Sequence, residues 1–141
     1  MGTRSTIKFY RNKHNEKDKI CIASIYQQYD GYLSGIGKFL IQWLNKFTIV
    51  NGISLNDDRK IANGIDCLAA QYIRDHKNGV GGLYMTHEQD VQEYNYEIYD
   101  EDEKGLYIIV KDDGWNKTQQ VILLEGYLNK INIDDAIKKY E

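Results

Sequence analysis

The sequence lacks the features that mark several common classes of protein. Its 141 residues include only two cysteines, Cys21 and Cys67, and no CxxC spacing. This excludes a disulfide framework and a cysteine-based zinc site, so both thiols are expected to be reduced members of the core. No apolar run approaches the roughly 18 residues of a membrane-spanning helix, so no membrane association is predicted. The absence of proline beside twelve tyrosines and twelve glycines is typical of AT-rich coding sequence and excludes no function.

An excess of positive charge is also missing. Eighteen Lys and Arg stand against 21 Asp and Glu, which gives a formal net charge of -3. Non-specific binding to nucleic acid depends on clustered positive charge, so no nucleic-acid partner is predicted, whereas a single small anionic ligand is compatible with these values. Basic residues interrupt every apolar run near the start of the chain, namely Arg4, Lys8, Arg11 and Lys13. This pattern predicts no secretory signal and a cytoplasmic location.

Recognisable catalytic and metal-binding motifs are absent. His14, His76 and His87 lie in no HExxH motif and near no cysteine cluster, so neither a metal nor a cofactor is predicted. No serine lies in a G-x-S-x-G motif, which leaves no catalytic nucleophile to name. His87 with Glu88 and Asp90 is compatible with acid–base chemistry, although such loop residues are usually solvated. The pattern favours a binding protein over an enzyme.

Hydrophobic patterning predicts one α+β domain over residues 1–141. Runs rich in β-branched and aromatic residues predict strands at 6–10, 20–26, 83–86, 92–99, 106–111 and 119–124. Helical periodicity predicts two main helices. The first covers 34–47, and the second is capped by Asp57 or Asp58, carries its apolar face at 61–73 and ends at 76–79. A short terminal helix is predicted from Asp134. The expected architecture is an antiparallel sheet of about five to six strands with the two main helices packed on one face.

One stretch, residues 25–47, joins the second strand to the first helix through a loop of glycine and aromatic residues. Gly35, Gly37 and Lys38 lie where a helix start offers free backbone N–H groups that suit a phosphate. Their spacing does not match GxxxxGK[ST], and a structural turn with Lys38 in solvent explains the same residues. Tyr29 is a candidate to stack on a flat base, or else it forms part of the edge of the core.

Two further features are compatible with contacts to other proteins. The acidic run at residues 100–103 can mimic the phosphates of a nucleic acid, although such runs are more often solvated turns. Trp115 and the high tyrosine content favour a homo-oligomeric interface, because Trp and Tyr are enriched at interfaces.

Two motifs are similar to those of a known family. The chain opens with Gly-Thr-Arg-Ser at 2–5, carries Tyr-Gln-Gln-Tyr-Asp-Gly-Tyr at 26–32 and continues with Ser-Gly-Ile-Gly-Lys at 34–38. These motifs resemble a family of small phage and prophage proteins with GTRS and Y-x-Q-Y-D-G-Y-P-x-G-x-G stretches, which includes phage Thoeris anti-defence proteins that sequester glycocyclic ADP-ribose. The match covers the first third of the chain, where Leu33 replaces the usual proline and Ile36 replaces a polar residue, often histidine.

The resemblance implies a protein that binds a cyclic ADP-ribose-type nucleotide without cleaving it, in a pocket between subunits, and so deprives an immune effector of its signal. The implied ligand contacts are the phosphate holders Arg4, Lys38, Arg59 and Lys111, the stacking residue Tyr84 and the base-edge reader Asn95. Ordinary surface charge also explains Arg59 and Lys111. Two alternatives stay open: a phosphodiesterase-like enzyme that degrades a cyclic nucleotide, and an acidic protein–protein inhibitor of a host defence complex.

Overall fold

A computed structural model describes residues 2–50, 61–101, 104–114 and 120–141. The strands are β1 (Ser5–Tyr10), β2 (Cys21–Gln27), β3 (Thr48–Val50), β4 (Ile61–Asn63), β5 (Leu83–Thr86), β6 (Tyr94–Asp100), β7 (Leu106–Asp112) and β8 (Val121–Tyr127). The helices are α1 (Lys38–Leu44), α2 (Gly64–His76) and α3 (Ile133–Tyr140), and a π-helical turn (Leu33–Gly37) precedes α1. None of the helices in these ranges is long and apolar enough to cross a membrane.

Six strands form the main sheet, in the order β5-β2-β1-β6-β7-β8. The α+β class and the strand number are as predicted, but the expectation of a purely antiparallel sheet is wrong, because β1 and β6 pair in parallel at its centre. The physical reason is the position of β5. This strand adds to the outer edge of β2, so the chain crosses over the sheet through residues 87–93 before β6 enters beside β1. Strands β3 and β4 form a separate parallel pair.

One face of the sheet packs against the helices. Apolar side chains with no exposed surface line this face from the sheet side, namely Ile7, Phe9, Ile25, Tyr96, Ile98, Ile108 and Val110. Residues of α1, α2 and α3 belong to the same buried cluster, and Trp43 of α1 meets Tyr72 of α2 edge-on with ring centroids 5.2 Å apart. The two main helices therefore pack on one face, as predicted.

The connection into α1 differs from the predicted single helix over 34–47. The backbone first forms the π-helical turn, and α1 ends at Leu44. The turn is closed by the Ile36 N–H, which donates to the Asp30 carbonyl at 2.7 Å, and Asp30 itself has a left-handed φ of 59°. A Cβ atom added at Gly35 would lie 2.2 Å from the same carbonyl oxygen. The sequence needs glycine at this position to build the turn.

Gly35→Ala is expected to lower the free energy of unfolding by about 2 kcal/mol, because the new methyl group meets rigid backbone. Thermal unfolding should shift downward by roughly 6 °C. The matched control is Ser34→Ala, which alters an exposed neighbour in the same turn and should change the melting temperature little. Equal melting temperatures for Gly35→Ala and the wild type would contradict the packing argument.

Candidate functional site

The face of the sheet opposite the helices carries a row of polar and aromatic side chains. Cross-strand pairing joins Tyr84, Tyr26, Thr6, Asn95 and Lys111 on five adjacent strands. Directly paired residues project from the same face of a sheet, so these five form one line, here called the polar row. Its length is four inter-strand spacings, about 19 Å, which is enough for a dinucleotide-sized ligand. Three of the predicted ligand contacts, Tyr84, Asn95 and Lys111, therefore share one face.

The crossover between β5 and β6, residues 87–93, covers the middle of the polar row and is here called the strap. The Lys8 ammonium group donates to the Asp90 carbonyl at 2.6 Å, and the Thr86 hydroxyl donates to the Asp90 carboxylate at 2.8 Å. Beneath the strap, the exposed fractions of Thr6, Lys8 and Asn95 are 0%, 5% and 3%. The central part of the polar row is thus a buried polar layer.

Asn95 ties the strap to the sheet. Its side-chain oxygen accepts from the Thr6 hydroxyl at 2.6 Å and from the Gln92 N–H at 3.0 Å. Its amide nitrogen donates to the Gln92 carbonyl at 2.7 Å and to the Asp113 carboxylate. An amide group has two donors and two acceptor sites, so every one is occupied. For Asn95 to contact the edge of a base, as predicted, at least one of these bonds must be exchanged.

Two lysines flank a carboxylate beside the polar row. Lys111 donates to Glu97 at 2.8 Å, and Glu97 also accepts the Tyr99 hydroxyl. Burial lowers the pKa of Lys8, and the attraction of Glu97 offsets this only in part. An ammonium group has three donors, and among the residues that the structure describes Glu97 takes one of those of Lys111, so a bound anion can accept from the others.

Arg4 lies just before β1, at the corner of the same face. It lines a cavity of about 240 Å³ together with Gln92 and Asp113. This volume lies below the range of roughly 300–1,000 Å³ typical of ligand pockets, and the lining also includes the carboxylates of Glu93 and Asp113, so a phosphate is expected to meet Arg4 at the rim of the cavity and not inside it. The Arg4 side chain is exposed and forms no ion pair with a residue that the structure describes. It is therefore available to an anion.

The other predicted phosphate holders are less available. Lys38 pairs with Asp134 at 3.4 Å on the surface. The backbone N–H groups of Gly35 and Gly37 donate to the Tyr32 carbonyl at 3.0 and 3.3 Å, so the turn itself uses the groups that a phosphate would need. Arg59 lies outside the described residues. The hydrogen bonds of this loop therefore favour a structural turn over a phosphate-binding site.

Tyr29 lies apart from the polar row. Its ring is 58% exposed and lines a cleft beside the π-helical turn, together with Gly35. The nine predicted contacts thus divide into two groups: Arg4, Tyr84, Asn95 and Lys111 on the sheet face opposite the helices, with Asn95 buried under the strap, and Tyr29, Gly35, Gly37 and Lys38 at the turn; Arg59 lies outside the described residues. The two groups are candidates for different kinds of contact.

Sequence reasoning missed Thr6, Lys8 and Glu97 as parts of the site. A usable signal exists in the alternation of polar and apolar residues along β1 and β6, where Thr6 and Lys8 flank Ile7 and Glu97 follows Tyr96. Such alternation predicts which residues share a face of one strand. It does not predict which residues of distant strands lie next to them in the sheet.

Glu101, in the acidic run at 100–103, is buried and not exposed to solvent. This carboxylate is 4% exposed and accepts hydrogen bonds from the His14 ring, from the His14 N–H at 3.0 Å and from the Tyr127 hydroxyl at 2.9 Å. Burial alone would raise the pKa of Glu101, but these hydrogen bonds outweigh it and lower the pKa below its usual value. Glu101 serves to hold the 11–20 connection onto the sheet.

Glu101 should make stability depend on pH in the acid range. Because its pKa is lower in the folded state, its contribution is present above about pH 4.3, the ordinary pKa of Glu, and is lost as pH falls through the folded value. Glu101→Gln is therefore expected to lower the melting temperature at pH 7 and to differ less from the wild type at pH 3. The exposed Glu16→Gln is the control and should change little at either pH. An equal deficit of Glu101→Gln at pH 7 and pH 3 would contradict this assignment.

No family model, curated protein or solved structure matches this chain. Among the described residues, no group of three or more His, Cys, Asp or Glu side chains is arranged to hold a metal ion. The chemistry of the polar row, the strap and Arg4 is therefore the basis for a functional assignment.

Proposed function

We propose that the protein binds a cyclic ADP-ribose-type signalling nucleotide, such as glycocyclic ADP-ribose, and sequesters it without cleavage in the cytosol of a bacterial host. Thoeris effector activation is then blocked because the free signal is removed. The observation that carries this proposal is the polar row, which combines an exposed aromatic ring at Tyr84 with cations at Lys111 and nearby Arg4. Adenine needs an aromatic face, and a diphosphate needs Arg or Lys donors.

Tyr84 is suited to stacking because it lies on an edge strand. Its ring is 45% exposed, and the ring of Tyr26 supports it at a centroid distance of 5.9 Å. Base–aromatic stacking contributes about 1–3 kcal/mol for each base. Arg4 lies two residues before Thr6, the β1 residue in register with Tyr84, so the two backbone positions are separated by two strand spacings, about 10 Å, across the sheet and by about 7 Å along it. An adenosine diphosphate moiety can span this separation with its base on Tyr84 and its phosphates at Arg4.

Binding without cleavage is favoured by the state of the polar groups. The Thr6 hydroxyl, the aliphatic hydroxyl of the polar row, is fully buried and donates to Asn95, so it is not available as a nucleophile. The enzyme alternative requires acid–base chemistry from His87 and Glu88, with Asp90, in the strap, where His87 and Glu88 are exposed. There, both oxygens of the Asp90 carboxylate already accept hydrogen bonds, from Thr86 and from Gln92.

The proposal includes a homo-oligomer with the ligand at a subunit interface. Both edges of the sheet expose apolar side chains: Tyr84 and Met85 on β5 are 45% and 59% exposed, and Val121 and Ile122 on β8 are 39% and 48% exposed. Edge strands present unpaired backbone groups, and a neighbouring subunit is one way to cover them. A subunit placed against β5 would bring its own groups to the ligand beside Tyr84.

Calorimetry with glycocyclic ADP-ribose tests the proposal. The protein is expected to bind the nucleotide, and heat denaturation of the complex is expected to release it with an unchanged mass. Recovery of a cleaved product would reject sequestration in favour of an enzyme. Absence of binding would reject the proposed ligand.

A further inference from the structure

A cleft beside the π-helical turn is distinct from the polar row. It has a volume of about 480 Å³, and its lining includes Gln27, Tyr29, Asp30, Ser34, Phe39 and His76. This volume lies within the range of roughly 300–1,000 Å³ typical of small-molecule sites. Its floor is the aromatic packing between α1 and α2, whereas the polar row lies on the opposite face of the sheet.

Aromatic rings at the cleft present faces to a flat ligand. Tyr29 and Phe39 are 58% and 56% exposed, which is high for side chains of their size. His76 stacks on Tyr72 with centroids 3.9 Å apart and meets Phe39 edge-on at 5.1 Å. The cluster thus holds Phe39 and His76 in fixed positions beside open space.

Polar groups at the cleft have defined roles. The Gln27 side-chain oxygen accepts the Tyr72 hydroxyl at 2.7 Å, which leaves its amide N–H groups as donors. His76 Nδ1 lies 2.7 Å from the Tyr72 carbonyl and must therefore carry a proton, so the neutral ring offers Nε2 as an acceptor. One Asp30 oxygen accepts the Tyr32 hydroxyl at 3.1 Å, and the second can accept from a ligand.

The charge of the cleft selects against phosphate. Asp30 lines it, and the Glu141 carboxylate accepts the Ser34 N–H nearby at 3.4 Å. No Lys or Arg is among the lining residues. An anionic ligand would meet repulsion here, whereas an amino group would find an acceptor.

We propose that this cleft binds the base of a purine nucleoside against the exposed rings of Tyr29 and Phe39, with the exocyclic amino group donating to Asp30 and the Gln27 amide donating to a ring nitrogen. The ligand is a nucleoside without phosphate and with an amino-substituted base, of which adenosine is the simplest probe. This site does not depend on the function proposed for the polar row.

Calorimetry of the full chain with adenosine, inosine and AMP tests the site. Adenosine should bind, inosine should bind about tenfold more weakly because it lacks the amino group, and AMP should also bind more weakly than adenosine. Phe39→Ala should weaken adenosine binding by about tenfold or more, since a stacking face is lost. Tyr140→Ala, which removes an exposed tyrosine ring that lines neither this cleft nor the polar row, is the matched aromatic control and should leave adenosine binding unchanged.

Asp30→Asn supplies a sharper test. Asparagine tolerates the left-handed backbone at this position and keeps an oxygen for Tyr32, but it replaces the open acceptor with a donor. The preference should reverse, so that inosine, with a carbonyl in place of the amino group, binds better than adenosine. No adenosine binding by the wild type, unchanged adenosine binding by a folded Phe39→Ala, or tighter binding of AMP than of adenosine by the Arg4→Ala, Tyr84→Ala double variant, which lacks the proposed contacts of the polar row, would each overturn the proposal. Binding of glycocyclic ADP-ribose by Phe39→Ala reports separately on the polar row.

Discussion

Asn95→Ala is expected to lower the free energy of unfolding by about 3 kcal/mol, measured by urea denaturation. The side chain makes four hydrogen bonds while only 3% exposed, and its removal leaves the Thr6 hydroxyl and the Gln92 N–H without this acceptor. Each buried polar group left unpaired costs about 1–3 kcal/mol. The strap would also lose its tie to the sheet, so residues 87–93 should become a site of limited proteolysis.

The control for this variant is Asn129→Ala, which removes an exposed asparagine and should change stability by less than about 0.5 kcal/mol. A stability loss for Asn95→Ala as small as that of the control would contradict the role of Asn95 in holding the strap. Unchanged resistance of the strap to protease would contradict it independently.

Arg4→Ala with Tyr84→Ala is expected to abolish measurable binding of glycocyclic ADP-ribose while leaving the fold intact. Both side chains are exposed, so neither substitution opens a cavity in the core. Loss of a charged contact at Arg4 and of stacking at Tyr84 should each weaken binding about tenfold or more. Because the two side chains are well separated and share no partner, their effects should add to at least about 100-fold in the double variant.

The matched controls for the double variant are Lys17→Ala for the charge and Tyr140→Ala for the aromatic ring, both at exposed positions. Full affinity in the double variant, measured by calorimetry, would reject the polar row as the nucleotide site. Lys111→Ala is a less direct test, because it would remove the ion pair with the mostly buried Glu97 and confound affinity with stability.

The strands could be predicted from the sequence because their signals are local. Runs of β-branched and aromatic residues between polar turns identified all six strands of the main sheet, with ends displaced by a few residues. The parallel pairing of β1 with β6 could not be predicted from local signals, because the sequence of residues 87–93 carries no pattern that distinguishes a crossover from a hairpin loop. Helical periodicity likewise extended the first helix over the π-helical turn and the second over β4, because Ile36 of the turn and Ile61 of β4 fit the helical spacing of the apolar residues that follow them.

The candidate site was predictable only in part. Tyr84, Asn95 and Lys111 were named from the family resemblance, and their alignment in one row follows from strand register, which is not encoded near any of the three. At the glycine loop, by contrast, the sequence predicted a site that the structure does not favour. Its composition predicted a phosphate cradle or a structural turn, and the hydrogen bonds of Gly35 and Gly37 to the Tyr32 carbonyl, which the sequence does not show, favour the turn.

The most direct test of sequestration is mass spectrometry of the small molecules that co-purify with the protein from cells producing the Thoeris signal. The proposal predicts an intact cyclic ADP-ribose-type nucleotide, present in proportion to the wild-type protein and missing from the Arg4→Ala, Tyr84→Ala double variant. A hydrolysed nucleotide, or equal amounts of the intact nucleotide with the wild type and the double variant, would contradict it.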